Sequence, residues 1–177
     1  SYLPHKRALL VIVAIVLLGI LAAVMTVRAE TITARQALAK KDYVGALKSL
    51  GIALTLYPFS AEAHFLRGSA LYLSKNHKEA FTEYDTALKL APDMRNALER
   101  RAAVSYQLGN YSQSVADYEK LLQQEGEQSQ SFDQLQSLAN AYLRIGDLQK
   151  AADMYNRCLS RKTNYVPAMV GKIAVSN

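Results

Sequence analysis

The chain has 177 residues, a net charge of +6, one cysteine, three histidines and no tryptophan. The single cysteine, Cys158, excludes an internal disulfide and any thiolate metal cluster. The basic residues are scattered, with no run longer than two, which fits a solvated surface and argues against a nucleic-acid partner.

A short tail, residues 1–7, ends in His5-Lys6-Arg7. From Ala8 to Val27 the chain reads "ALLVIVAIVLLGILAAVMTV", 20 residues without a charge. As a helix this run covers about 30 Å, the thickness of a bilayer's hydrocarbon core. A signal peptide would have a shorter apolar region and a small-residue cleavage site. The one weak candidate here, Val27-Arg28-Ala29, has an arginine at its centre. An uncleaved membrane helix over residues 8–27 is therefore expected. The positive cluster before the span favours a cytoplasmic N-terminus and an extracytoplasmic main domain. Counting basic residues out to Lys41 reverses that tally, but long domains cross membranes largely regardless of charge.

From Leu21 to Tyr43 there is no proline or glycine. The span is therefore expected to continue unbroken into the next helix, with Ala34, Ala37 and Leu38 facing Ala46, Leu50 and Leu54. The domain over residues 28–177 would then be rigidly attached and not tethered by a leash.

The remainder repeats every 34 residues. Tyr43, His77 and Tyr111 share this spacing, as do Ala46, Ala80 and Ser114; Leu54, Leu88 and Leu122; and Pro58, Pro92 and Gly126. The register then slips by three residues and resumes at Leu148, Ala151, Tyr155 and Leu159. The clearest unit, residues 61–94, carries His64, Gly68, Leu71 and Tyr72 on one helix face. Gly68 permits a close helix approach. A turn at Lys75-Asn76 follows, where Asn76 and Glu79 spell a capping box. Ala80, Tyr84, Ala87 and Leu88 form the buried face of the second helix. Pro92, without an N–H, stops it.

A 34-residue period with two helical patterns per unit resembles the tetratricopeptide-repeat (TPR) family. The resemblance covers residues 27–165, in units 27–60, 61–94, 95–128 and 132–165. A terminal helix at 166–177, with Met169 and Ile173 apolar, resembles either a cap or the start of a fifth unit. The implied fold is all-α: a right-handed superhelix of four helix pairs plus a terminal helix, preceded by one transmembrane helix continuous with the first TPR helix. Gly126 in place of proline, with the polar "QQEGEQSQSFDQ", is expected to alter the angle between units three and four. Arg67 and Arg101 stand where leucine is common in the family, their stems covering apolar surface while the guanidinium reaches water or a carboxylate.

No nucleophile elbow, phosphate loop or metal-ligand spacing occurs, so neither an enzyme nor a cofactor is expected. His64, His77 and Cys158 read as packing residues. The resemblance implies an inner wall built from the first helix of each unit. Its slots are Glu62, Phe65, Ser69, Tyr72 and Leu73 in unit two, and Asn96, Glu99, Ala103, Tyr106 and Gln107 in unit three. Unit four supplies Asp133, Gln136, Asn140, Leu143 and Arg144. Amides for a peptide backbone and tyrosines for its side chains suit an extended protein segment, with Tyr72 and Tyr106 forming an aromatic ladder. The carboxylate clamp of one TPR subclass is not expected, because its slots hold Phe65, Ser69, Asn96 and Arg100, and only Arg100 suits that task.

These features predict a single-pass membrane scaffold or adaptor. It would bind protein partners in a complex of the bacterial envelope, secretion, pilus or cytochrome-maturation type, at the inner membrane. The alternatives are an organellar import-type receptor with cytosolic repeats, and the sensor fragment of a larger signalling protein.

Overall fold

The computed structural model describes residues 3–124 and 131–176. Nine helices, and no strand, occur among these residues. They are α1 (Leu3–Ala39), α2 (Tyr43–Leu56), α3 (Ala61–Leu73), α4 (His77–Leu90), α5 (Arg95–Gln107), α6 (Tyr111–Gln124), α7 (Phe132–Ile145), α8 (Leu148–Arg161) and α9 (Val166–Ser176). Gly126 and half of the polar stretch around it, residues 125–130, lie outside the described residues.

The chain order of apolar residues explains the stacking. Each even helix packs on the odd helix before it and the odd helix after it. α3 also touches both α1 and α5, and α9 touches α7, so the odd helices share one wall. Within each pair the chain reverses through a residue with left-handed backbone: Lys41 (φ 61°), Lys75 (φ 70°), Gly109 (φ 81°) and Gly146 (φ 84°). Glycine adopts this conformation freely, whereas a lysine there costs about 1 kcal/mol. α2 ends at Leu56 before Pro58, and α4 ends at Leu90 before Pro92.

α1 runs through 37 residues without interruption, so the apolar run and the first helix of the array form one rod. Near its C-terminal end Ala34 is buried with Leu50, Leu54, Ala63 and Leu66, and Leu38 packs against them. Its N-terminal half is bare: large apolar side chains from Leu9 to Met25 all face outward. Among the described residues it is the one helix long and apolar enough to cross a membrane. A larger core joins α4 to α9 around Leu98, Leu121, Leu135, Leu138 and Tyr155.

Two local expectations need correcting. Asn76 precedes α4 but makes no side-chain cap, and no capping box forms with Glu79. Its amide instead reaches the Ser74 hydroxyl (3.4 Å). The capping box lies before α7, where Ser131 accepts from the Gln134 N–H and Gln134 accepts from the Ser131 N–H.

Candidate functional site

Because the repeat places a tyrosine on every second helix from α4 onward, its hydroxyl defines a recurring position on the inner wall. Tyr84, Tyr118 and Tyr155 are all buried. The facing slot on the first helix holds Ser69, Ala103 and Asn140 in turn. Tyr84 donates to Ser69 Oγ (3.4 Å) and Tyr155 donates to Asn140 Oδ1 (2.6 Å). Ala103 has nothing to offer Tyr118, whose hydroxyl turns to Ser137 of α7. Burial pushes all three phenols above their usual range.

That missing side chain leaves a cleft of about 200 Å³, lined by Ala103, Tyr106, Gln107, Tyr118, Ser137 and Asn140. It opens between α5 and α7. These two odd helices pack together less than α1–α3, α3–α5 and α7–α9 do among the described residues. The cleft's two amides have complementary free ends. Asn140 uses its oxygen on Tyr155, leaving N–H donors; Gln107 donates its amide to the Tyr72 hydroxyl (3.1 Å), leaving an acceptor. One donor and one acceptor beside two aromatic rings match the hydrogen-bonding pattern of a peptide group.

The other inner-wall residues are largely occupied with holding helices together. Glu62 pairs with Arg35 of α1. Phe65 packs on the Tyr84 ring (centroids 5.8 Å apart). Asp133 and Gln136 both accept from Tyr165 (3.2 and 3.1 Å). Arg144 lies over the Tyr111 ring and donates to its hydroxyl (2.6 Å). Asn96, Glu99 and Leu73 are exposed. Tyr72 and Tyr106 do not form the expected ladder. Each packs within its own helix pair, Tyr72 on His77 and Tyr106 on Tyr111, both with centroids 5.2 Å apart. Tyr118 and Ser137, which complete the cleft, were not among the expected residues.

On the other side of α5, Arg101 joins three helices. It donates to both oxygens of Asp117 (2.9 and 2.7 Å) and to Asp85 (2.6 Å). The hydrogen bonding it donates to Asp117 is the main reason the guanidinium pKa sits above its usual range, although burial opposes the shift. Burial would raise the Asp85 carboxyl, but hydrogen bonding and charge from Lys89, and the charge of Arg101, hold it below the usual carboxylate range. His64 is half-buried and polar in its contacts, with Nδ1 2.8 Å from Glu83 and Nε2 3.0 Å from the Pro58 carbonyl. Cys158 is fully buried, and that burial raises its thiol pKa. No group of three or more His, Cys, Asp or Glu that could hold a metal ion occurs among the described residues.

Stacked helix pairs of this length, with tyrosines in phase on their second helices, define a helical-repeat interaction module. The tetratricopeptide repeat model matches residues 33–95, 82–131 and 100–167, and the chain belongs to that family. The chain is 26% identical over 104 residues to heat shock protein STI1 of Saccharomyces cerevisiae. That match covers 56% of this chain and 18% of the relative, so the chain spans a small part of it. Among solved structures a MamA protein is similar, with a TM-score of 0.76, 15% identity and coverage of 85% of this chain and 80% of that one. YrrB, described as a TPR protein with an unusual peptide-binding site, gives 0.75 and 14% identity, covering 80% and 72% of the two chains. The first TPR of Spaghetti (RPAP3), bound to an HSP90 peptide, gives 0.62 and 18% identity, covering 69% and 97%. At these identities the likeness shows the fold.

Proposed function

We propose that this chain is a membrane-anchored scaffold whose inner-wall cleft takes an extended segment of a partner protein. The observation that carries the reading is the cleft opened by Ala103, with a free amide donor and a free amide acceptor beside Tyr106 and Tyr118. TPR relatives bind proteins or peptides: YrrB has an unusual peptide-binding site, and the first TPR of RPAP3 is bound to an HSP90 peptide. A carboxylate clamp is not part of the proposal. Phe65 is packed on Tyr84, and Ser69 accepts the Tyr84 hydroxyl.

α1 supplies the anchor, crossing a bilayer through residues 8–27 and continuing into the array. A helix without a hinge fixes the wall's height and orientation over the membrane, which suits a component of a standing assembly more than a free-swinging recruiter. The cluster before the span favours a cytoplasmic N-terminus, with the repeats outside a bacterial inner membrane and working in an envelope, secretion, pilus or cytochrome-maturation complex.

The test is a gentle-detergent pull-down from native membranes, comparing the wild type with a Tyr106→Ala/Gln107→Ala double variant. Loss of specific partners from the variant is expected, with its helical content unchanged. An unchanged partner list would remove the wall from the account.

A further inference from the structure

A concavity larger than the cleft lies at the first helix pair. It is a groove of about 810 Å³ along one side of α1, where Val24, Val27 and Ile32 face Leu56 and Tyr57. Its position follows from the register of the first helix pair. α1 and α2 reverse at Lys41, and the 14 residues of α2 carry the chain back by about 21 Å. Tyr57 is thereby returned to about the level of Val27, the last residue of the uncharged run.

The turn at that level is unlike its counterparts. Tyr57 and Phe59 are 51% and 67% exposed, with rings in an edge-to-face pair 6.2 Å apart. Leu56 beside them is also exposed. The turn is held in place: the Pro58 carbonyl lies 3.0 Å from His64, and the Ser60 side chain caps α3. One repeat later the same two positions are Ala91 and Asp93. There the turn is polar, with Lys120 donating to the Pro92 carbonyl (2.6 Å) and pairing with Asp93 (3.2 Å). In sequence the next two counterparts are Glu125 with Glu127, and Lys162 with Asn164. Closing the turn therefore does not require aromatic rings. They occur at the one turn that lies level with the end of the apolar run.

We infer that Leu56, Tyr57 and Phe59 enter the headgroup boundary of the same bilayer that α1 crosses, with lipid filling the groove between this turn and α1. The inference rests on α1 spanning a membrane. Lipid is the occupant because the groove is continuous with the bare apolar surface of α1, and because exposed aromatic residues are favoured where hydrocarbon meets headgroups. A second attachment point beside the helix also stops the array from rotating about the α1 axis.

The chain has no tryptophan, so one introduced indole is a clean reporter. Three full-length variants would be reconstituted in phosphatidylcholine vesicles with bromine either near the headgroup or near the acyl-chain ends. They are Phe59→Trp at the turn, Val16→Trp in the span and Ile145→Trp at the end of α7. Phe59→Trp is expected to lose most of its emission to the shallow bromines and less to the deep ones. Val16→Trp should respond chiefly to the deep bromines, and Ile145→Trp to neither. Quenching at residue 16 with none at residue 59 would overturn the turn's membrane contact while leaving the span intact. Acrylamide would then show whether water or a second copy of the chain covers the turn. Loss of quenching at residue 16 as well would overturn both.

Discussion

The helix pairs α3/α4, α5/α6 and α7/α8 carry the same buried tyrosine and differ in what meets it. Ser69 and Asn140 satisfy their tyrosines from the facing helix, whereas Ala103 leaves Tyr118 to reach across to Ser137. The middle pair therefore carries a cleft on its inner side. On its other side the same pair holds an ion network. Arg101 bridges Asp85 and Asp117, while its counterpart Arg67 has one contact, 3.7 Å from Glu83, and is 42% exposed. The corresponding positions in α7/α8 are Leu138, which is buried, and Met154. A repeat thus keeps its packing tyrosine fixed and changes the middle pair on either side of it.

The largest effect should come from removing the cation. Arg101→Ala leaves Asp117, which is 3% exposed, with Gln113 as its remaining partner (3.0 Å). A loss of about 3 kcal/mol in urea unfolding is expected, against at most about 1 kcal/mol for Arg67→Ala. Equal losses would break the contrast. Acid should narrow it. The Asp85 carboxyl is held below its unfolded value near about 4, so its contribution is complete above that value. It disappears as pH falls through the lower value of the folded chain.

A smaller effect is expected at the close approach between α3 and α4. A Cβ on Gly68 would lie 2.7 Å from a carbon of the Tyr84 ring, although Ala102 and Ala139 occupy the same slot beside Tyr118 and Tyr155. Gly68→Ala gains about 1 kcal/mol of helix propensity but meets an overpacking cost of about 1–3 kcal/mol. A net loss of about 1 kcal/mol is expected from thermal unfolding. A gain would mean that the Tyr84 ring moves aside easily and that the three tyrosines are interchangeable.

Much of this was legible in the sequence. The 34-residue spacing identified the helix pairs, and the lack of proline and glycine from Leu21 to Tyr43 predicted the continuous α1. The cap before α4 was misread because capping depends on which partner a side chain prefers. Asp42 and Asp147 precede α2 and α8 with backbone angles like those of Asn76, and both cap their helices. A carboxylate cannot donate to a neighbouring hydroxyl as the Asn76 amide donates to Ser74. The inner-wall slots were named by register, and register does not reveal which side chains are already engaged by neighbouring helices. The signal for the cleft was present in the alternation of Ser69, Ala103 and Asn140. It acquires meaning only when the slot is seen to face a buried tyrosine hydroxyl.

The cleft is open because residue 103 is small, and on the proposed reading that same space admits the partner. Ala103→Asn introduces the side chain found at residue 140, filling the space and offering Tyr118 an acceptor. The account predicts that partner capture by the full-length chain falls to background while the unfolding temperature is unchanged or higher. Undiminished capture by that variant would contradict it.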